Sequence, residues 1–188
     1  MNRGQEGTLA ALVDLERCLP FPLLGLDSDN GGEFLNYHVM AWLQKRQRPV
    51  FMTRSRPYKK DDNAHIEQKN WTHVRQWFGY QRHDNPEVVE RLNHLARGPF
   101  HQMLNYFHAS LKLESKERTA DGKIRRVYEK ARSPLERVLE SPEVDAATKR
   151  RLKAEKARLN PVALKREVDR QLQEIAAMRR PKESFLAA

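Results

Sequence analysis

GLDSDNGGEF, residues 25–34, follows the apolar run PFPLL (residues 20–24). A short hydrophobic stretch that ends in Asp27 and Asp29 and then turns on Asn30-Gly31-Gly32 has two readings. Acidic residues and glycines are ordinary turn chemistry at the end of a strand. Carboxylates at a strand end are also how an open α/β sheet builds a metal site. The choice depends on what flanks the stretch.

Upstream, residues 7–18 carry Leu9, Leu12, Val13 and Leu15 at helical spacing, which predicts one buried face. PFPLLGL (residues 20–26) reads as a short apolar strand whose start is confined by Pro20 and Pro22. Downstream, Asn36 suits an N-cap for a helix that buries Val39, Met40, Trp42 and Leu43 and ends in the basic KRQR (residues 45–48). PVFMT (residues 49–53) is a second strand, and SRPYKKDD (residues 55–62) a loop in which Asp61 or Asp62 caps the next helix. That helix runs through AHIEQKNWTHVRQWF (residues 64–78) and stops at Gly79. The order α, β, α, β, α predicts an α/β fold with crossover helices. Two strands are few for such a sheet, so the pattern reads as a domain lacking its first strands.

Composition shifts after Tyr80. Asn85-Pro86 starts a helix that breaks at Gly98-Pro99 and resumes through FHQMLNYF (residues 100–107). Residues 111–118 and 123–129 read as a hairpin around TADG (residues 119–122). Ser133-Pro134-Leu135-Glu136 fits a capping box, and Ser141-Pro142 and Asn160-Pro161 are read as two further helix starts. The expected division is residues 1–82 for the α/β part and 83–188 for a basic, mainly helical extension.

The 188 residues are 39% hydrophobic and 32% charged, with 35 basic against 25 acidic side chains and a formal net charge of +10. Residues 112–158 alone carry 15 basic and 9 acidic side chains. This excess favours a polyanion as partner, most commonly nucleic acid. No apolar run approaches the roughly 20 residues of a membrane span, and the N-terminal stretch lacks the apolar core of a signal peptide. The lone Cys18 excludes an internal disulfide and a cysteine-built zinc site; it fits the cytoplasm and reads as a buried structural thiol.

Asp29 stands just past a strand end, and Glu67 in the first turns of the helix after the next strand. Carboxylates meeting there, with water and phosphate oxygens, suit Mg²⁺ or Mn²⁺. Asp27 reads as a supporting residue. Arg54, Arg56, Lys59, Lys60, Lys69 and Arg75 surround this edge, interleaved with Tyr58, Trp71 and Trp77, a mixture that suits a phosphate backbone and splayed bases. Trp71 and Trp77 taken alone read more readily as core residues.

DSDNGGEF (residues 27–34) together with FMTRSRPYKKDDNAHIEQKNWTHVRQWFGY (residues 51–80) resembles the catalytic core of DDE transposases and integrases, of the retroviral-integrase-like, RNase H-like superfamily, as found in bacterial insertion sequences. YEKARSPLERVL (residues 128–139) also resembles their helical extension. The resemblance implies that Asp29 is the second catalytic acid and Glu67 the third, with 37 residues between them. It implies a two-metal site for DNA cleavage and strand transfer, and multimers acting on paired DNA ends. The family's first Asp, which bridges both metals from the opening strand, has no counterpart among Glu6, Asp14 and Glu16. The expectation is a partial RNase H-like fold, catalytically incomplete as a separate chain. The alternatives are a non-catalytic module that binds DNA or joins a full-length transposase, and a decayed gene remnant.

Overall fold

The computed structural model describes residues 5–28, 31–32, 36–56, 58–81, 83 and 85–178. The chain is mixed α/β and forms two compact units, Met1–Gln81 and Arg82–Ala188.

In the first unit, α1 (Gln5–Cys18) packs on α2 (Tyr37–Gln44). β1 (Gly25–Ser28) and β2 (Phe51–Arg54) pair in parallel, with Gly25 opposite Phe51 and Ser28 opposite Arg54. The crossover through α2 follows from Asn36, whose side-chain oxygen accepts from the Val39 amide at 3.0 Å and so caps the helix start. Leu12, Val39 and Leu43 form the buried core, and Leu9, Leu26, Trp42, Val50 and Met52 pack against it. Alternation along the strands puts Leu26 and Met52 on this covered face. It leaves Gly25, Asp27, Phe51 and Thr53 exposed on the other. A parallel pair with one bare face is unusual, because parallel sheets are ordinarily covered on both sides.

Several expectations need correction here. The first strand is Gly25–Ser28 rather than residues 20–26: the two prolines keep the apolar approach out of the ladder, and Phe21 and Leu24 are exposed. Leu15 and Met40 are exposed too, because the apolar stripe of each helix is wider than the core formed by Leu12, Val39 and Leu43. KRQR lies beyond α2, since Lys45 is already its C-cap. Cys18 is exposed at the end of α1, not buried.

After β2, a 3₁₀ turn (Lys60–Asn63) leads into α3 (Ala64–Asn70). Neither Asp61 nor Asp62 caps α3; both fall inside the 3₁₀ turn. The helix then widens into a π turn over Trp71–Arg75, recovers as α4 (Gln76–Phe78), and ends at Gly79 with φ +75°.

In the second unit, α5 (Pro86–Arg97), α6 (Pro99–Tyr106) and α9 (Pro161–Ala177) pack together. They bury Val88, Leu95, Phe100, Met103, Val168 and Ile175. Asn85 and Asn160 cap α5 and α9 with Pro at the first turn, as the sequence predicts. Gly98 separates α5 from α6; a Cβ there would lie 3.1 Å from the His94 carbonyl oxygen. Tyr106, Leu135 and Leu152 form a further core cluster joining α6 to α7 (Pro134–Glu140) and α8 (Ala146–Ala157). The capping box forms, with Ser133 Oγ accepting from the Glu136 amide and Glu136 Oε2 from the Ser133 amide. Ser141-Pro142 does not start a helix: Ser141 ends α7, and Asp145 caps α8 by accepting from the Thr148 amide at 2.8 Å. Between α6 and α7 lies the expected hairpin, β3 (Leu113–Arg118) with β4 (Ile124–Tyr128).

Candidate functional site

The parallel pairing sends β1 and β2 out of the sheet at the same edge, where open α/β sheets place their sites. A polar link closes that corner. The Ser55 amide donates to the Ser28 carbonyl oxygen at 3.0 Å, extending the ladder one step past Arg54. Ser55 Oγ donates to Asn63 Oδ1 at 2.6 Å. Ser28 and Ser55 are both buried. The end of β1, the end of β2 and the residue before α3 are therefore joined directly. Asp29 is the next residue after Ser28, and Glu67 sits one helical turn beyond Asn63.

Asp29 itself lies outside the described residues, as do Asn30, Glu33 and Phe34. Glu67 is exposed in the first turn of α3. Asp27 points to the bare face of the sheet, where it accepts a hydrogen bond from Thr53 Oγ1 across the ladder at 2.5 Å. That contact suits its reading as a supporting residue. Asp62 is occupied by Arg56, which donates from its backbone amide and its Nε at 3.0 Å and from Nη2 at 2.8 Å. These bonds hold the Asp62 carboxyl at about 2.

Among the described residues no group of three or more His, Cys, Asp or Glu side chains is placed to hold a metal ion. Mg²⁺ or Mn²⁺ requires several oxygen donors, usually with more than one carboxylate. Glu67 supplies one, while Asp62 is taken by Arg56 and Asp27 by Thr53. The described residues by themselves do not make a divalent-cation site.

The basic residues divide into two groups. Arg54, Lys59 and Lys69 are exposed. Arg56 is tied to Asp62, and Arg75 lies over the Tyr80 ring at 4.9 Å and reaches the Gly79 carbonyl oxygen at 3.5 Å. The Lys60 side chain lies outside the described residues. Trp71, expected in the core, is about half exposed; its ring centroid is 6.2 Å from that of Tyr80. Trp77 is half-buried. Tyr58 is fully exposed and holds φ +61°, a left-handed conformation that is uncommon for an aromatic residue. The π turn that brings Trp71, Arg75 and Tyr80 together has no signature in the sequence; such turns recur at functional positions in helices. The Ser28–Ser55–Asn63 link was equally hidden, since small polar residues near strand ends read as ordinary turn formers.

The class that fold and geometry define is thus an α/β unit with a polar corner at the shared end of a parallel strand pair. Over 120 residues, 64% of the chain, the sequence is 37% identical to "Uncharacterized protein y4rM" of Sinorhizobium fredii (strain NBRC 101917 / NGR234). The match covers 33% of that protein, so the chain spans about a third of the length of this curated relative. No family model matches the chain, and no solved structure matches it. Among the described residues no helix is long and apolar enough to cross a membrane.

Proposed function

We propose that this chain carries part of the catalytic core of a DDE transposase or integrase with an RNase H-like fold. Asp29 and Glu67 are its second and third metal-binding acids, and DNA is its partner in the cytoplasm. The observation that carries the reading is the Ser28–Ser55–Asn63 link, which ties the strand end before Asp29 to the helix start before Glu67. Arg54, Lys59 and Lys69 then serve as phosphate contacts beside the acids. Two metal ions need more carboxylates than Asp29 and Glu67, so these 188 residues are inactive by themselves and act together with a second copy or a full-length transposase.

Two experiments separate these claims. Incubating the purified chain with duplex DNA and Mg²⁺ or Mn²⁺ should produce no nicking or strand transfer; turnover that disappears in Asp29→Asn would overturn the claim of inactivity. The transposase reading itself is checked by calorimetric titration with Mn²⁺: weak binding that is lost in both Asp29→Asn and Glu67→Gln is expected, and binding that neither substitution changes would count against it. A non-catalytic DNA-binding role is favoured by a separate observation, the basic face of the second unit's hairpin.

A further inference from the structure

The hairpin of β3 and β4 is asymmetric in charge. Its register sets Lys116 opposite Arg126 and Arg118 opposite Ile124, so these four side chains share one face. Tyr128 follows on that face by alternation. All five are exposed, Ile124 at 63% and Tyr128 at 50%. The other face sets Glu117 opposite Arg125 and Ser115 opposite Val127. There the charges balance, and Ser115 and Val127 are half-buried. Glu114 is the extra residue at the irregularity between Leu113 and Ser115, with no partner in the ladder.

Lys116, Arg118 and Arg126 make no ion pair among the described residues. Like charges directly opposite each other destabilise a ladder, and a two-stranded ribbon exposed on one whole face is marginal on its own. The fold nevertheless holds the ribbon firmly at its base. Arg137 on α7 donates to the Glu129 carboxylate at 2.5 Å and to the Ser110 carbonyl oxygen at 2.8 Å. Ser110 and Arg132 exchange both backbone hydrogen bonds. The turn at the tip is equally defined: the Gly122 amide donates to the Thr119 carbonyl oxygen at 2.9 Å, with Gly122 at φ +81°.

We infer that this face is a docking surface for duplex DNA, with Lys116, Arg118 and Arg126 on phosphates and Ile124 and Tyr128 against sugar and base edges. The three unpaired cations supply the charge complementarity. Same-face positions along a strand are about 6.8 Å apart, so the cations form a compact cluster that meets several phosphates. A two-stranded ribbon fits the major groove of B-form DNA, about 12 Å wide, whereas the major groove of A-form RNA is too narrow for side chains to read. The inference shares with the proposed function only the identity of the polymer, and needs no metal.

The test measures binding of the full 188-residue chain to labelled duplex DNA by fluorescence anisotropy in EDTA, between about 50 and 200 mM salt. Replacing Lys116, Arg118 and Arg126 together by alanine should weaken binding at least about tenfold and lower the salt slope by roughly 2–3, since each phosphate contact contributes about 0.9. The control Glu117→Ala with Arg125→Ala, on the balanced face, should leave the slope unchanged. If the triple variant alters the circular dichroism, Arg126→Gln alone serves, with a slope reduced by about one. A triple variant that binds as the original does would overturn the inference. So would tighter binding of duplex RNA or of anionic phosphatidylglycerol vesicles. An unchanged affinity of the triple variant would leave the proposed function untouched, because that reading rests on Asp29 and Glu67 at the end of the first unit's strand pair.

Discussion

Asp62 and His101 illustrate how single ionisable groups respond to their surroundings. Asp62 was a helix cap by position, but Arg56 takes both its oxygens and holds its pKa at about 2. Its pKa is lower folded than unfolded, so its contribution to stability is complete above pH 4 and vanishes as pH falls through about 2. In Asp62→Asn the melting temperature should therefore lose its extra dependence between those limits, and coincide with that of the original chain at the acid end. His101 has the opposite chemistry. Burial holds its imidazole below the usual value, against the pull of the Glu155 carboxylate. Folding thus favours the neutral ring, and stability should decline as pH drops below 6.5. His101→Gln should flatten that decline in a series of thermal melts; an unchanged slope would show that another group causes it. Tyr106 completes this corner of the second unit, donating to Glu155 Oε2 at 2.6 Å, while burial pushes its phenol upward.

Local chemistry decided most of the elements. The caps at Asn36, Asn85, Ser133 and Asn160 form as read, because each needs only a side-chain oxygen within three residues of the amide it accepts from. Ser133→Ala removes one half of the capping box and should cost about 1 kcal/mol in chemical denaturation. Gly122 is required at the hairpin tip for its positive φ, and Gly122→Ala should cost about 1–2 kcal/mol in the same measurement, through strain in the left-handed region. Strand limits were less legible. A strand exists only where a partner's carbonyls and amides lie opposite, and Phe21 to Leu23 have no such partner among the described residues. The π turn is hidden for a related reason: it inserts one residue into the helical ladder without changing which residue types the helix accepts.

At the scale of the molecule, the two units differ in how much their described residues bury. The first has Leu12, Val39 and Leu43 in its core and a strand pair with a bare face. The second buries Val88, Leu95, Phe100, Met103, Tyr106, Leu135, Leu152, Val168 and Ile175. Calorimetry should resolve two transitions, the lower from Met1–Gln81 and the upper from Arg82–Ala188. Leu95→Ala, at a side chain with no exposure, should lower only the upper transition, by about 2–5 kcal/mol. A single transition shifted by that change would show that the units fold as one.

By itself the sequence determined the alternation of helices and strands, the helix caps, the hairpin and its turn, and the excess of positive charge. Each depends on residues near one another in the chain. Only the tertiary structure decided the rest. It paired the two strands in parallel, joined Ser28, Ser55 and Asn63 at their common end, took Asp62 for Arg56, and left Cys18 and Trp71 exposed. It also set Lys116 across from Arg126, on a face where neither makes an ion pair among the described residues. Contacts between residues far apart in sequence depend on register and packing, and a stretch such as GLDSDNGGEF specifies neither until the strand beside it is in place.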